Sequence, residues 1–156
     1  MVIIAGGNIT SGLDREDLRY TLKGIYTFAA LGRIGAMGGA AGAINLKDEA
    51  GHTVVLPDNF VVERATINTL VALTSGGLST VAIGSSEAAM AAIISAAVAF
   101  DAAPYSDAAT ALHCAALVTT PYKVTGTGKL LIATIATADL TAGAFEVVLH
   151  GYQAQG

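Results

Sequence analysis

The sequence predicts a mainly β chain: a β-sandwich of jelly-roll-like type, with one short Ala-rich helix and an N-terminal arm. Three observations point there. Segments rich in β-branched and aromatic residues recur at close intervals, separated by turn-forming Gly, Pro, Asn and Asp. The longest of them, Phe60 to Leu73, alternates with period two rather than 3.6. Finally, 53% of the residues are apolar and only 13% charged, against roughly 25% charged in an ordinary globular domain. A surface so poor in charge has to be covered by another protein.

Taken in order, residues 1 to 20 read as an arm and residues 21 to 156 as the sandwich domain. The arm opens with apolar Val2, Ile3 and Ile4, followed by a Gly6-Gly7-Asn8 break and the charged run from Asp14 to Arg19. Asp14 can cap a single helical turn, with Glu16 and Asp17 near its positive end. Apolar residues on a tether order by docking, so Val2, Ile3, Ile4, Arg15 and Arg19 are the candidate contacts to a partner or neighbouring subunit.

From Thr21 to Ala29 the chain reads as a strand, with a second at Ala41 to Leu46. The run Lys47-Asp48-Glu49-Ala50-Gly51 supplies a polar turn, Thr53 to Leu56 a short strand, and Pro57-Asp58-Asn59 another turn. In Phe60 to Leu73, Val61, Ala65, Ile67, Val71 and Leu73 share one face, while Arg64, Thr66 and Asn68 take the other. Ser75-Gly76-Gly77 reads as a hairpin turn into a strand over Leu78 to Ile83. The segment from Ser86 to Val98, dense in Ala, reads as the helix. Ala111 to Thr119 is read as a strand, as are Lys129 to Ala136 and Ala144 to Tyr152. In the last, Phe145, Val147 and Leu149 alternate with Glu146, Val148 and His150.

The same residues exclude several functions. With 12 acidic and 8 basic residues and a net charge of −4, the chain has no basic field for nucleic acid. Of those 20 charges, 13 fall at positions 1 to 64, so the first part meets water or a charged partner. No run of about 20 apolar residues is available to span a membrane; the longest, Ala88 to Phe100, is closed by Glu87 and Asp101. The opening residues lack the positive flank of a signal peptide, and a single Cys114 permits no intrachain disulfide.

Chemistry is equally scarce. His113 and Cys114 are adjacent, and neighbours on a strand point to opposite faces, so they do not form a nucleophile and base. His52, His113 and His150 lie in separate segments without metal-ligand spacing. The acids Asp48, Glu49, Asp58, Asp101, Asp107 and Asp139 sit in turns, and none of the glycine pairs has the setting of a phosphate loop. No enzyme activity, cofactor or metal is expected.

A series of short motifs remains. Tyr26-Thr27-Phe28-Ala29 is followed by Gly39 to Leu46, then Val55-Leu56-Pro57-Asp58-Asn59-Phe60-Val61-Val62, then Ala72 to Gly84 with its Gly76-Gly77 pair. Ile132 to Gly143 closes the series on Leu140-Thr141-Ala142-Gly143. In order and spacing this series, covering Tyr26 to Tyr152, resembles the head-decoration (cement) proteins of tailed bacteriophages. It departs from them by residues 1 to 20 and by the Arg33-to-Gly39 loop. The resemblance implies a jelly-roll-like subunit, commonly a homotrimer, made in the host cytoplasm and bound to the outer surface of the virion. There it would hold the major capsid protein and tie neighbouring capsomers together. Other readings are a carbohydrate-binding jelly roll using Tyr105, Tyr122 and Tyr152, a small hydrolase or isomerase using His113 or His150, and a tail or fibre component.

Overall fold

The computed structural model describes residues 19–77, 79–87, 93–94, 99–100, 112–114 and 122–154. They form ten strands and, among the described residues, no helix. The strands are β1 (Arg19–Thr27), β2 (Gly42–Asn45), β3 (Val55–Leu56), β4 (Phe60–Ser75), β5 (Ser79–Ser85), β6 (Ala99–Phe100), β7 (Leu112–Cys114), β8 (Tyr122–Lys123), β9 (Lys129–Ala136) and β10 (Leu140–Gln153). They build two five-stranded sheets. One runs β1-β10-β4-β7, with β8 also on β4; the other runs β2-β9-β5-β6, with β3 also on β9. Every pairing is antiparallel.

Both sheets feed a single apolar cluster, which is why the alternating strands fold as they do. Tyr26, Phe60, Val62, Ala65, Ile67, Phe145, Val147 and Leu149 come from the first sheet, and Leu56, Val81, Ile83, Leu131, Ala133 and Ile135 from the second. Phe145 stacks on Tyr26 with centroids 5.0 Å apart and planes at 25°, an offset arrangement the ring quadrupoles favour. The Tyr26 hydroxyl donates to the Gly38 carbonyl at 2.7 Å, and burial pushes its pKa up to about 12. This bond fastens the loop after β1 to the core.

The alternation of the last strand matches expectation, with Phe145, Val147 and Leu149 buried and Glu146, Val148 and His150 half-buried, but the strand begins at Leu140 rather than at the expected Ala144. The longest strand matches in extent but not in facing. Phe60 and Val62 enter the core cluster, whereas Val61 does not. The reason is a bulge: His150 pairs with Arg64 and the next residue, Gly151, pairs with Val62, so Glu63 is extra and the alternation reverses there. Three more irregularities lie near the other end, where Phe145 pairs with Thr69, Ala144 with Val71, Ala142 with Thr74 and Leu140 with Ser75. They turn Val71 outward, 48% exposed, where burial is expected from the sequence.

The Gly76-Gly77 pair is not a hairpin turn. It joins β4 of one sheet to β5 of the other, and β9 and β10 are likewise joined across the two sheets. The helix expected over Ser86 to Val98 falls mostly outside the described residues. Within it, Ile94 makes an isolated antiparallel bridge to Ile83, with Ile94 N–H donating to Ile83 O at 2.9 Å and Ile83 N–H to Ile94 O at 3.1 Å. That is extended pairing, at odds with a helix there. The Ser86 hydroxyl accepts from the Leu130 N–H at 2.9 Å.

Candidate interaction surface

Of the five residues expected to touch a partner, Val2, Ile3, Ile4 and Arg15 lie outside the described residues. Arg19 is the first residue of β1, paired with Tyr152, and its guanidinium lies 3.9 Å from the Glu63 carboxylate. The strand therefore begins two residues ahead of the expected Thr21. Its register with β10 carries no shift. At Ile25 the outward backbone groups bond to Lys47, N–H to O at 2.7 Å and the reverse at 3.0 Å. By strand alternation, Arg19, Thr21 and Lys23 direct their backbone N–H and C=O groups away from β10, along an edge with which no strand among the described residues pairs. Arg19 and Lys23 on that edge discourage pairing with a second identical strand. Lys23 is held by Glu49 at 3.0 Å and Glu146 at 3.3 Å. The hydrogen bond to Glu49 and the charge of Glu146 raise its pKa.

The described surface also carries apolar side chains. Val55 on β3 is 53% exposed, and Leu70 and Val71 are exposed together because β4 bulges there. The loop after β1 ends in a tight tip where Leu31 and Ile34 exchange two backbone hydrogen bonds of 2.9 Å, leaving Leu31 and Arg33 exposed. The Arg33-to-Gly39 segment continues from this tip. Far from being loose, it is tied down by Met37 N–H to Thr27 O at 3.1 Å and Leu140 N–H to Gly39 O at 2.8 Å.

A polar network unforeseen from the sequence fixes the end of β5. The Tyr122 hydroxyl lies 2.6 Å from Ser85 Oγ and donates to the Glu87 carboxylate at 2.6 Å. The other Glu87 oxygen accepts from the Thr125 N–H at 2.8 Å and the Thr125 hydroxyl at 2.9 Å. Burial pulls the Glu87 pKa upward, but the donated hydrogen bonds from Tyr122 and Thr125 outweigh it and hold the carboxyl below its usual range. Desolvation first, and then the bond to Glu87, push Tyr122 up to about 12. Glu87 reads as a helix-start residue in sequence; nothing in a linear pattern joins it to a tyrosine 35 positions on.

The sign of the pH effect follows. A carboxyl depressed in the folded state adds stability above its unfolded pKa of about 4.3, and that stability is lost as pH falls through the lower folded value. Glu87→Gln is therefore expected to flatten the loss of stability below about pH 4, read from thermal melts over an acid series. A variant whose acid sensitivity equals that of the parent would contradict this role. His52 and Asp48 form a similar but solvent-exposed turn: Asp48 Oδ1 accepts from the N–H groups of His52 at 2.8 Å and Ala50 at 2.9 Å. The His52 backbone bond leads the causes that lower its pKa.

Other chemistry stays dispersed. Among the described residues no group of three His, Cys, Asp or Glu comes together. His113 and Cys114 are successive residues of β7, and His150 lies on β10. Of the three tyrosines considered for sugar stacking, Tyr105 is outside the described residues and the Tyr122 hydroxyl is committed to Ser85 and Glu87. Among the described residues no helix is long and apolar enough to cross a membrane.

The architecture thus defines a mainly β chain of two antiparallel sheets whose distinctive features lie on its surface. Chains with this fold occur in phage capsid structures. The protein superposes on a chain of the "Cyanophage Pam1 capsid asymmetric unit" with a TM-score of 0.58 and 15% identity, covering 99% of this chain and 94% of that one. It also superposes on a chain of the "Acidic stable capsid structure of Helicobacter pylori bacteriophage KHP30" with a TM-score of 0.53 and 17% identity, covering 88% and 90%. At these identities the likeness is one of fold. No family model and no curated protein matches the sequence.

Proposed function

We propose that the protein is a structural component of a phage virion, a decoration subunit that binds the outside of the shell through the major capsid protein and bridges neighbouring capsomers. The observation that carries this reading is the fold shared over 99% of the chain with a chain of a phage capsid. A composition with 13% charged residues and 53% apolar ones supports it, because such a surface is suited to burial against other proteins. In this reading the two sheets form a jelly-roll-like sandwich, three copies associate, and the molecule is not an enzyme. Each subunit would cover about 1,000 Å² of partner surface, and the symmetry of the shell repeats that contact many times.

The arm is part of the proposal. Val2, Ile3 and Ile4 dock on the shell. Replacing all three by Ser is expected to remove most of the protein from particles that sediment after mixing with capsids of its own virus assembled without it. Full occupancy by that variant would contradict a role for the arm. Failure of the parent protein to sediment with such capsids would contradict the reading as a whole.

A further inference from the structure

The pairing register places Thr21 of β1, His150 of β10 and Arg64 of β4 in one row across the first sheet. One step along, the bulge at Glu63 brings that carboxylate beside Arg19. Together with Tyr20 and Gly151 they line an open cleft of about 470 Å³. The His150 imidazole is fixed by its Nδ1, 3.3 Å from Thr21 Oγ1.

The charges in this cleft do not balance. Two guanidiniums face one carboxylate. The Arg19 contact with Glu63 is long, at 3.9 Å, with side chains 60% and 41% exposed, so solvent screens it and it engages little of the Arg19 donor capacity. Arg64 is exposed and has no acidic partner among the described residues. A guanidinium offers paired, coplanar N–H groups that match the two oxygens of a carboxylate.

The geometry points to this cleft as the recognition site for an Asp or Glu side chain on a protein partner, with Arg64 and Arg19 as the donors. With Glu63 beside them, the two guanidiniums leave a net charge of about +1, which a singly charged carboxylate neutralises. The openness of the cleft to water fits a side chain delivered by a docked protein, whose attachment supplies the effective concentration that a free carboxylate lacks. Under the reading proposed above, that partner is the capsid protein.

The experiment uses the full chain and a capsid-free probe, tetraglutamate, at low ionic strength. The His150 ring resonances are followed by NMR, with tetraglutamine and inorganic phosphate as comparisons. Tetraglutamate is expected to give saturable shifts, tetraglutamine none, and Arg64→Gln about tenfold weaker binding. Arg64→Lys, which keeps the charge and loses the fork, is expected to fall between, and it serves as well should the Gln variant not fold. Absence of saturable shifts, shifts of equal strength in both Arg64 variants and the parent, or tighter binding of phosphate than of tetraglutamate would each overturn the proposal. Because no capsid is present, the outcome is separate from that of cosedimentation. Peptide binding without capsid binding would remove the reading as a virion protein and leave the cleft. The converse would remove the cleft alone.

Discussion

Replacing Phe145 by Ala is expected to cost about 4 kcal/mol of folding stability, measured by urea denaturation. Phe145 is fully buried and sits on β10, the strand that pairs with both β1 and β4. Truncation removes the ring that stacks on Tyr26, and the void is hard to refill. Tyr26 is pinned through its hydroxyl to Gly38, and the opposing residues belong to the second sheet, so collapse would require the sheets to move together. Phe145→Leu keeps most of the volume and is expected to lose less than half as much. A loss below about 1 kcal/mol for the Ala variant would mean that the shared cluster is not the seat of stability.

The second large effect is expected at Gly151. A Cβ there would overlap the Val61 carbonyl and come within 3.0 Å of the Phe60 ring. That carbonyl belongs to β4 beside the bulge at Glu63, in the β4–β10 pairing. It cannot swing aside without breaking the ladder, so Gly151→Ala is expected to cost about 3 kcal/mol. Gly76, between the sheets, is the control: a Cβ there meets nothing within 4 Å. Gly76→Ala is expected to stay within about 0.5 kcal/mol of the parent. Equal effects at the two positions would contradict the close approach of Val61 to Gly151.

Local pattern made some of this architecture legible and hid the rest for definable reasons. The strands over Lys129 to Ala136 and the alternation of Phe145, Val147 and Leu149 are properties of residues two apart, and they appear in the structure as read. The facing of Val61 and Val71 depends on bulges, which exist only once β4 has a partner whose register slips against it. Leu140-Thr141-Ala142-Gly143 has turn-like composition, yet β10 begins at Leu140. Its N–H finds Gly39 O at 2.8 Å, and the Thr141 and Thr74 hydroxyls meet at 2.8 Å, so long-range pairing overrides local propensity. Ser75-Gly76-Gly77 satisfies the composition of a hairpin, but composition does not say whether two strands lie in one sheet or in two.

The candidate surface divides in the same way. Arg19 is visible in sequence as a charge at the end of an acidic run, and it does stand on the outer edge of the first sheet. Arg64 and His150 are unremarkable in sequence because 86 positions separate them. Only the register of β4 on β10 sets them side by side. The network of Ser85, Glu87, Tyr122 and Thr125 was hidden for that reason too, since it joins the end of β5 to β8 and the segment after it.

The central claim concerns where the protein sits, and the most direct measurement is a difference map. Particles of its own virus assembled without the protein are imaged by electron cryomicroscopy before and after its addition. The account predicts added density on the outer surface, repeated by the shell's symmetry, each unit in contact with more than one capsomer. No added density, or density confined to the interior or to the tail, would contradict it.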